Sequence, residues 1–185
     1  MVLKLVEASD ADLAKIRKLY LEAFPAVERV PFWLLKRRAK TPLAEFCSLY
    51  DDDAWRGFIY TVKDERLVYI FFLAIDASER SKGYGSGLMT LIKERYADKI
   101  IGLSAEMADE QAENNAERLR RLKFYAKNDF LPVDFYTLEK GGVKFEFLTE
   151  HGQKVAPMAY PDLMHRCLGI WQKLLLPVKV ISKDS

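Results

Sequence analysis

Cysteine is scarce in this chain: Cys47 and Cys167 are the only two in 185 residues. Neither has a second cysteine or a histidine at zinc-ligand spacing. That excludes a zinc module, and it excludes the dense cross-linking of small secreted domains. Two reduced thiols in the cytoplasm are expected. An excess of charge is missing too. The net charge of +2 is too small to hold the chain on nucleic acid or an anionic membrane. No apolar run reaches the roughly 18 residues of a membrane span, and the start MVLKLVEASD has no apolar signal segment. Nine glycines and seven prolines rule out collagen-like and low-complexity chains. The expectation is a cytoplasmic monomer or homodimer without nucleic-acid partner, membrane anchor or metal.

Half of the residues are hydrophobic, enough for a sizeable core in one domain spanning 1–185. VLKLVEA reads as a strand. Ser9 with Asp12 forms a capping-box pattern, and Leu13, Ile16, Tyr20 and Phe24 follow at helical spacing. Pro25 and Pro31 bracket a bend, PAVERVP, before a second helix that includes FWLLKRRA. AEFCSLY, AWRGFIYTV and RLVYIFFLAI predict three strands of an antiparallel meander. Leu88, Leu91, Ile92 and Tyr96 then mark a helix stripe. DKIIGLSAEM predicts a strand, AENNAERLRRLKFYAKND a helix, and 130–150 a hairpin turned at Gly141 and Gly142. A last amphipathic helix is expected over Leu163–Leu175. Phe32, Trp33, Phe71 and Phe72 are expected in the core, and the cations of RLRRLKFYAK on a solvated face.

Gly83, Gly85 and Gly87 fall at alternate positions between a central strand and a helix. That geometry exposes backbone N–H groups at the positive end of a helix, which suits a phosphate. Leu88 and Met89 follow Gly87, where a nucleotide-binding P-loop needs Lys and Ser/Thr, so a nucleotide phosphotransferase is disfavoured. Leu88 also stands where a dinucleotide fingerprint needs its third glycine.

RSKGYGSG, residues 80–87, resembles the R/Q-x-x-G-x-G/A pyrophosphate loop of the GNAT superfamily of acyl-CoA-dependent N-acetyltransferases. Arg80, Gly83 and Gly85 take its fixed positions, and the element order resembles the superfamily up to the Gly141 hairpin. The resemblance implies an α/β (α+β) fold with a mixed, mostly antiparallel central sheet of about six to seven strands flanked by helices. The segment from about 155 to 185 lies outside that core and is expected to be a helical extension. The resemblance also implies acetyl-CoA as co-substrate. Its pyrophosphate would lie on Arg80, Ser81, Lys82, Gly83, Tyr84, Gly85, Ser86 and Gly87. Its pantetheine arm would pair with the main chain of Leu73, Ala74 and Ile75.

YAKNDF, Tyr125–Phe130, resembles the family's Tyr-x-Lys-x-Gly-Phe signature, with Asp129 in the glycine's place. Asn128 and Asp129 both tolerate the left-handed conformation that such a helix end requires. Arg118 stands where many relatives have an asparagine beside the pantetheine, so that role is not carried over.

An amine must lose a proton to attack the thioester, and an alkylamine has a pKa of roughly 10. By resemblance Tyr125 is the general acid for the leaving sulfur, and Lys127 a candidate contact to the 3′-phosphate of coenzyme A. Glu106, on the Ser104 face of its strand, is the candidate base. Glu28 in the bend is its rival, or holds a cationic acceptor, and a water chain with no single base stays open. Neither cysteine lies in the motif region, which favours direct transfer to a small-molecule or peptide amine. The alternative is a catalytically silent acyl-CoA-binding or regulatory module on the same fold.

Overall fold

Eight strands and six α-helices form among the described residues, 2–139, 142–175 and 177–183, of a computed structural model. The chain divides into two units, Met1–Lys63 with Ile70–Ala97 and Asp64–Tyr69 with Asp98–Ser185.

The first unit carries β1 (Leu3–Glu7), α1 (Asp10–Ala23), α2 (Phe32–Arg38), β2 (Ala44–Asp51) and β3 (Ala54–Lys63). The end of β4 (Leu67–Ile75), a 3₁₀ turn at Ala77–Glu79 and α3 (Tyr84–Arg95) complete it. Strand order within it is β1-β2-β3-β4. Antiparallel registers pair Leu5 with Leu49 and Ser48 with Phe58. The capping box forms as the sequence predicts: the Ser9 N–H donates to Asp12 Oδ2 at 3.0 Å and the Asp12 N–H to Ser9 Oγ at 3.3 Å. Ile16, Leu19 and Tyr20 turn the apolar stripe of α1 inward. The Tyr20 hydroxyl donates to the Val30 carbonyl at 2.9 Å and accepts from the Val30 N–H at 2.8 Å. One phenol thus fixes the far end of the 25–31 bend. Glu45 on β2 ties three elements by pairing with Lys63 at 2.6 Å and Arg95 at 3.0 Å and accepting from the Tyr96 hydroxyl.

The second unit holds the start of β4, β5 (Ile100–Glu106), α4 (Asn115–Lys127), β6 (Phe130–Leu138) and β7 (Lys144–Glu150). It ends with α5 (Ala159–Leu168), α6 (Ile170–Leu175) and β8 (Lys179–Ser182). Its strand order is β4-β5-β7-β6-β8, with β7 antiparallel to β5 and β6. Phe147 is the hub of its core, stacked on Phe135 with ring centroids 5.2 Å apart and 5.5 Å from the Tyr160 ring.

Three expectations change. The last helix is broken: Gly169, at φ 61° and ψ −136°, separates α5 from α6. Met164, Cys167 and Leu168 are buried, while Trp171 is 36% exposed. The expected helical extension therefore also ends in a strand, β8, antiparallel to β6, and the strand count is eight instead of six or seven. Trp33 is 55% exposed, because Leu34 and Leu35 are the residues α2 turns inward. The expected hairpin turn keeps Gly142 at φ 77°, and Gly141 lies outside the described residues.

Gly57 on β3 has the tightest surroundings around the end of β4. A Cβ there would lie 2.3 Å from the Ala74 carbonyl oxygen and 3.0 Å from the Ile75 Cα. Both are backbone atoms, which cannot swing aside. Gly57→Ala is expected to cost about 1–3 kcal/mol, the usual range for overpacking, read as a lower midpoint in chemical denaturation. An unchanged midpoint would show that β4 shifts freely.

Candidate functional site

In the first unit β4 runs out at Ile75 and the chain turns through Ala77–Glu79 into α3. Asp76 caps that turn, accepting from the Ser78 N–H at 3.0 Å and the Ser78 hydroxyl at 2.6 Å. Ser81 at φ 64° and Gly83 at φ 90° then reverse the chain in left-handed conformations. Gly83 is the N-cap of α3 and supplies no capping side chain. Among the described residues the N–H groups of Ser81 to Ser86 have no hydrogen-bond acceptor. Six amides around a helix start therefore face outward at its positive end, the arrangement that binds phosphate.

The side chains of the loop divide the work differently from the sequence reading. Arg80 is exposed, and its Nε donates to the Ile75 carbonyl at a long 3.5 Å. Lys82 is paired with Glu79 at 3.1 Å, and Glu79 also holds Arg56 at 3.1 Å. The Tyr84 hydroxyl donates to Asp51 Oδ2 at 2.8 Å, with the Arg56 guanidinium over its ring at 5.2 Å. The phenol is spent on the end of β2, which leaves Tyr84 only its amide for a ligand. Gly87 was expected in the phosphate cradle. Its N–H closes the first helical bond, to the Gly83 carbonyl at 3.0 Å. A Cβ on it would lie 2.2 Å from Leu3 Cδ1, so Gly87 is a packing residue between α3 and β1. Leu73 is half-buried, and Ala74 and Ile75 are buried. Glu28 is half-buried in the bend, where its N–H donates to the Pro25 carbonyl at 3.0 Å.

In the second unit Glu106 closes β5 with its side chain only 9% exposed. Its Oε1 pairs with Arg118 at 3.1 Å and its Oε2 with Arg121. Arg118 is engaged further: Nε donates to Asn114 Oδ1 at 2.8 Å and Nη1 to the Met107 carbonyl at 3.2 Å. Both carboxylate oxygens of the expected base are thus engaged by guanidinium groups. To accept a proton Glu106 must first give up an ion pair, so the geometry casts it as the anchor of α4. The solvated face expected for RLRRLKFYAK holds for Arg120 but fails at Arg118, whose side chain is 11% exposed.

Arg118, Arg121 and Tyr125 stand three and four residues apart, on one face of α4. Tyr125 is half-buried, with its ring edge-on to Phe124 at a centroid distance of 5.3 Å. Its hydroxyl has no hydrogen-bond partner among the described residues. Burial pushes the phenol above its ordinary value, against the pull of Arg121. It therefore stays protonated through neutral pH, as a proton donor must. α4 ends at Lys127, and Asp129 takes φ 68°, which is the left-handed residue expected in the glycine's place. Cys47 and Cys167 are free and buried, and burial pushes the Cys47 thiol up to about 12. Among the described residues no helix is long and apolar enough to cross a membrane, and no group of His, Cys, Asp and Glu is arranged for a metal.

Residues 13–130 match the family model described as Acetyltransferase (GNAT) family. A GNAT-family protein from Bacteroides thetaiotaomicron is similar over 97% of this chain and 100% of its own, at 21% identity and a TM-score of 0.70. An aminoglycoside 6'-N-acetyltransferase complexed with coenzyme A is similar over 80% of this chain and 96% of its own, at 14% identity and a TM-score of 0.63. Naa50 of Arabidopsis thaliana, in complex with the bisubstrate analogue CoA-Ac-MVNAL, is similar over 80% of this chain and 98% of its own, at 20% identity and a TM-score of 0.59. These likenesses show the fold. No curated protein matches the chain significantly.

The Glu106–Arg118 pair has a measurable consequence. Arg118→Gln is expected to cost about 1.5–3 kcal/mol, the range for a charge-assisted hydrogen bond. A double-mutant cycle with Glu106→Gln should give a coupling of about 0.5–3 kcal/mol in denaturant unfolding. Strict additivity would mean that the pair holds nothing.

Proposed function

The chain belongs to the GNAT acetyltransferase family, and on that footing we propose that it transfers the acetyl group of acetyl-CoA directly to a primary amine. The observation that carries this reading is the row of unpartnered amides from Ser81 to Ser86, opened by Gly83. Those N–H groups donate to the pyrophosphate oxygens, and the exposed Arg80 guanidinium adds a charged contact. Lys82 does the same only by leaving Glu79. The main chain of Leu73, Ala74 and Ile75 lies against the pantetheine arm, so apolar side chains suffice there. The family match runs through residues of both units, which supports one catalytic domain. Two buried thiols fit a reducing compartment, and the cytoplasm is the proposed location.

The amine nitrogen attacks the thioester carbonyl carbon, the carbon–sulfur bond breaks, and the sulfur leaves with the bonding pair. Tyr125 gives that sulfur a proton, and water restores the phenol. The proton lost by the amine leaves through water, because Glu106 is occupied by Arg118 and Arg121. Glu28 is the proposed contact for the amine. The similar structures include an aminoglycoside acetyltransferase and one bound to a peptide analogue, so small-molecule and peptide amines are both within the class.

Gly85→Glu puts a carboxylate into the cradle and is expected to abolish acetyl-CoA binding in a folded protein. Calorimetry reads this directly, and unchanged affinity would remove the pyrophosphate assignment. Tyr125→Phe keeps the ring and deletes the proton donor. With an amine that supports release of free coenzyme A, kcat should fall by roughly 10²–10⁴ while acetyl-CoA affinity holds. The sign of the phenol's shift sets the pH profile: raised in the folded protein, it loses its proton only above the ordinary phenol value of about 10. The wild-type enzyme should therefore show no loss of kcat from this group below about pH 10. A decline near neutral pH that Tyr125→Phe abolishes would contradict the shift.

A further inference from the structure

Within the first unit a groove of about 770 Å³ runs between α1, the 25–31 bend and α2, a volume typical of small-ligand sites. Its charges are one-sided. Arg17, Arg29 and Lys36 line it against the single carboxylate of Asp10. That carboxylate is fully in solvent and touches only Lys36, at a loose 3.9 Å. Among the described residues Arg17 and Arg29 have no ion-pair partner, and the Nε of Arg29 is buried without an acceptor. A buried guanidinium nitrogen without a partner carries a desolvation cost that a bound anion removes. Beside these cations the exposed Trp33 and the Leu13 side chain offer apolar surface.

The floor of the groove packs against β4. Its wall includes Tyr20, which both hydrogen bonds to Val30 hold rigid. The Tyr20 ring meets Phe72 edge-on at 4.9 Å. Phe72 precedes Leu73 on β4, the strand proposed to carry the pantetheine arm. We infer that the groove binds the body of the acceptor, and that this acceptor is an amine bearing a carboxylate or phosphate beside an apolar group, not a polycation. The inference rests on the acetyl-transfer reading only for the word acceptor. Its charge argument stands on the groove alone. Arg17, Arg29 and Lys36 then take the anion of such an acceptor and leave its amine to the reaction.

The test uses three free amines: the dipeptide Phe-Asp, its carboxylate-free counterpart Phe-Asn-amide, and spermidine. Release of coenzyme A from acetyl-CoA gives KM for each. Phe-Asp should have a KM at least tenfold below that of the amide. Replacing Arg17 and Arg29 by Gln should raise the KM of Phe-Asp by roughly tenfold to a hundredfold, as the loss of charge-assisted bonds predicts. Arg17→Gln alone, at an exposed position, should give part of that rise in a folded protein. Preference for spermidine, equal KM values for dipeptide and amide, or variants with an unchanged KM for Phe-Asp overturn the inference. Calorimetry of Phe-Asp without acetyl-CoA separates it from the broader reading. If Phe-Asp binds the wild type but not the double variant, and no amine releases coenzyme A, the groove's charge preference stands and acetyl transfer falls. If Phe-Asp neither binds nor reacts, the groove inference falls.

Discussion

The start of α3 leaves the amides of Ser81 to Ser86 without acceptors among the described residues, and that constraint shapes the first unit. Gly83 at φ 90° brings the chain into α3 at an angle that leaves its first turn uncapped. A serine or aspartate at that position would satisfy one of those amides with its own side chain and strain the backbone. Space for the loop is fixed from two sides. Gly57 lets β3 lie against the carbonyl of Ala74, and Gly87 lets α3 close on Leu3. Three glycines thus serve one purpose through different physics: a left-handed turn, a close backbone approach and a close side-chain approach.

Carboxylates fix the surroundings. Glu79 holds both Arg56 and Lys82, Glu45 holds Lys63 and Arg95, and Glu106 holds Arg118 and Arg121. Each is largely buried and each faces two cations, which offset its desolvation. The pattern matters for mechanism because an acid with both oxygens committed makes a stiff support and a poor proton acceptor. The phenol of Tyr125, by contrast, has no partner among the described residues to compete for its proton.

Much of this was legible in the amino-acid order. The capping box at Ser9, the three-strand meander, the glycine loop and the left-handed Asp129 all follow from local rules, and local geometry decides them. What escaped depends on distant neighbours. Nothing in AWRGFIYTV shows that Gly57 must meet the Ala74 carbonyl. Arg118 and Arg121 carry the right spacing to share a face with Tyr125, yet charge alone cannot tell a solvated cation from one that meets a carboxylate on β5. Trp33 looked like core until the phase of Leu34 and Leu35 set the inward face of α2. Gly169 inside a helical pattern was the one overlooked local signal. β8 was hidden by its length, since four residues beside an apolar helix end are too few to show alternation.

The missing base and the basic groove bear on one another. An alkylamine with a pKa of roughly 10 is almost wholly protonated at neutral pH, whereas a peptide α-amino group titrates at roughly 7.7–8.0. For the second class a substantial share is already neutral, and water suffices to carry the remaining proton away. In the proposed reaction, with Glu106 paired to Arg118 and Arg121, an α-amine needs less help from a base than a lysine side chain or a polyamine does. A peptide or amino-acid acceptor also brings carboxylates of its own, a charge that Arg17 and Arg29 have no partner for among the described residues. Electrostatics at the groove and proton balance at the nitrogen, two independent requirements, thus favour the same proposed acceptor.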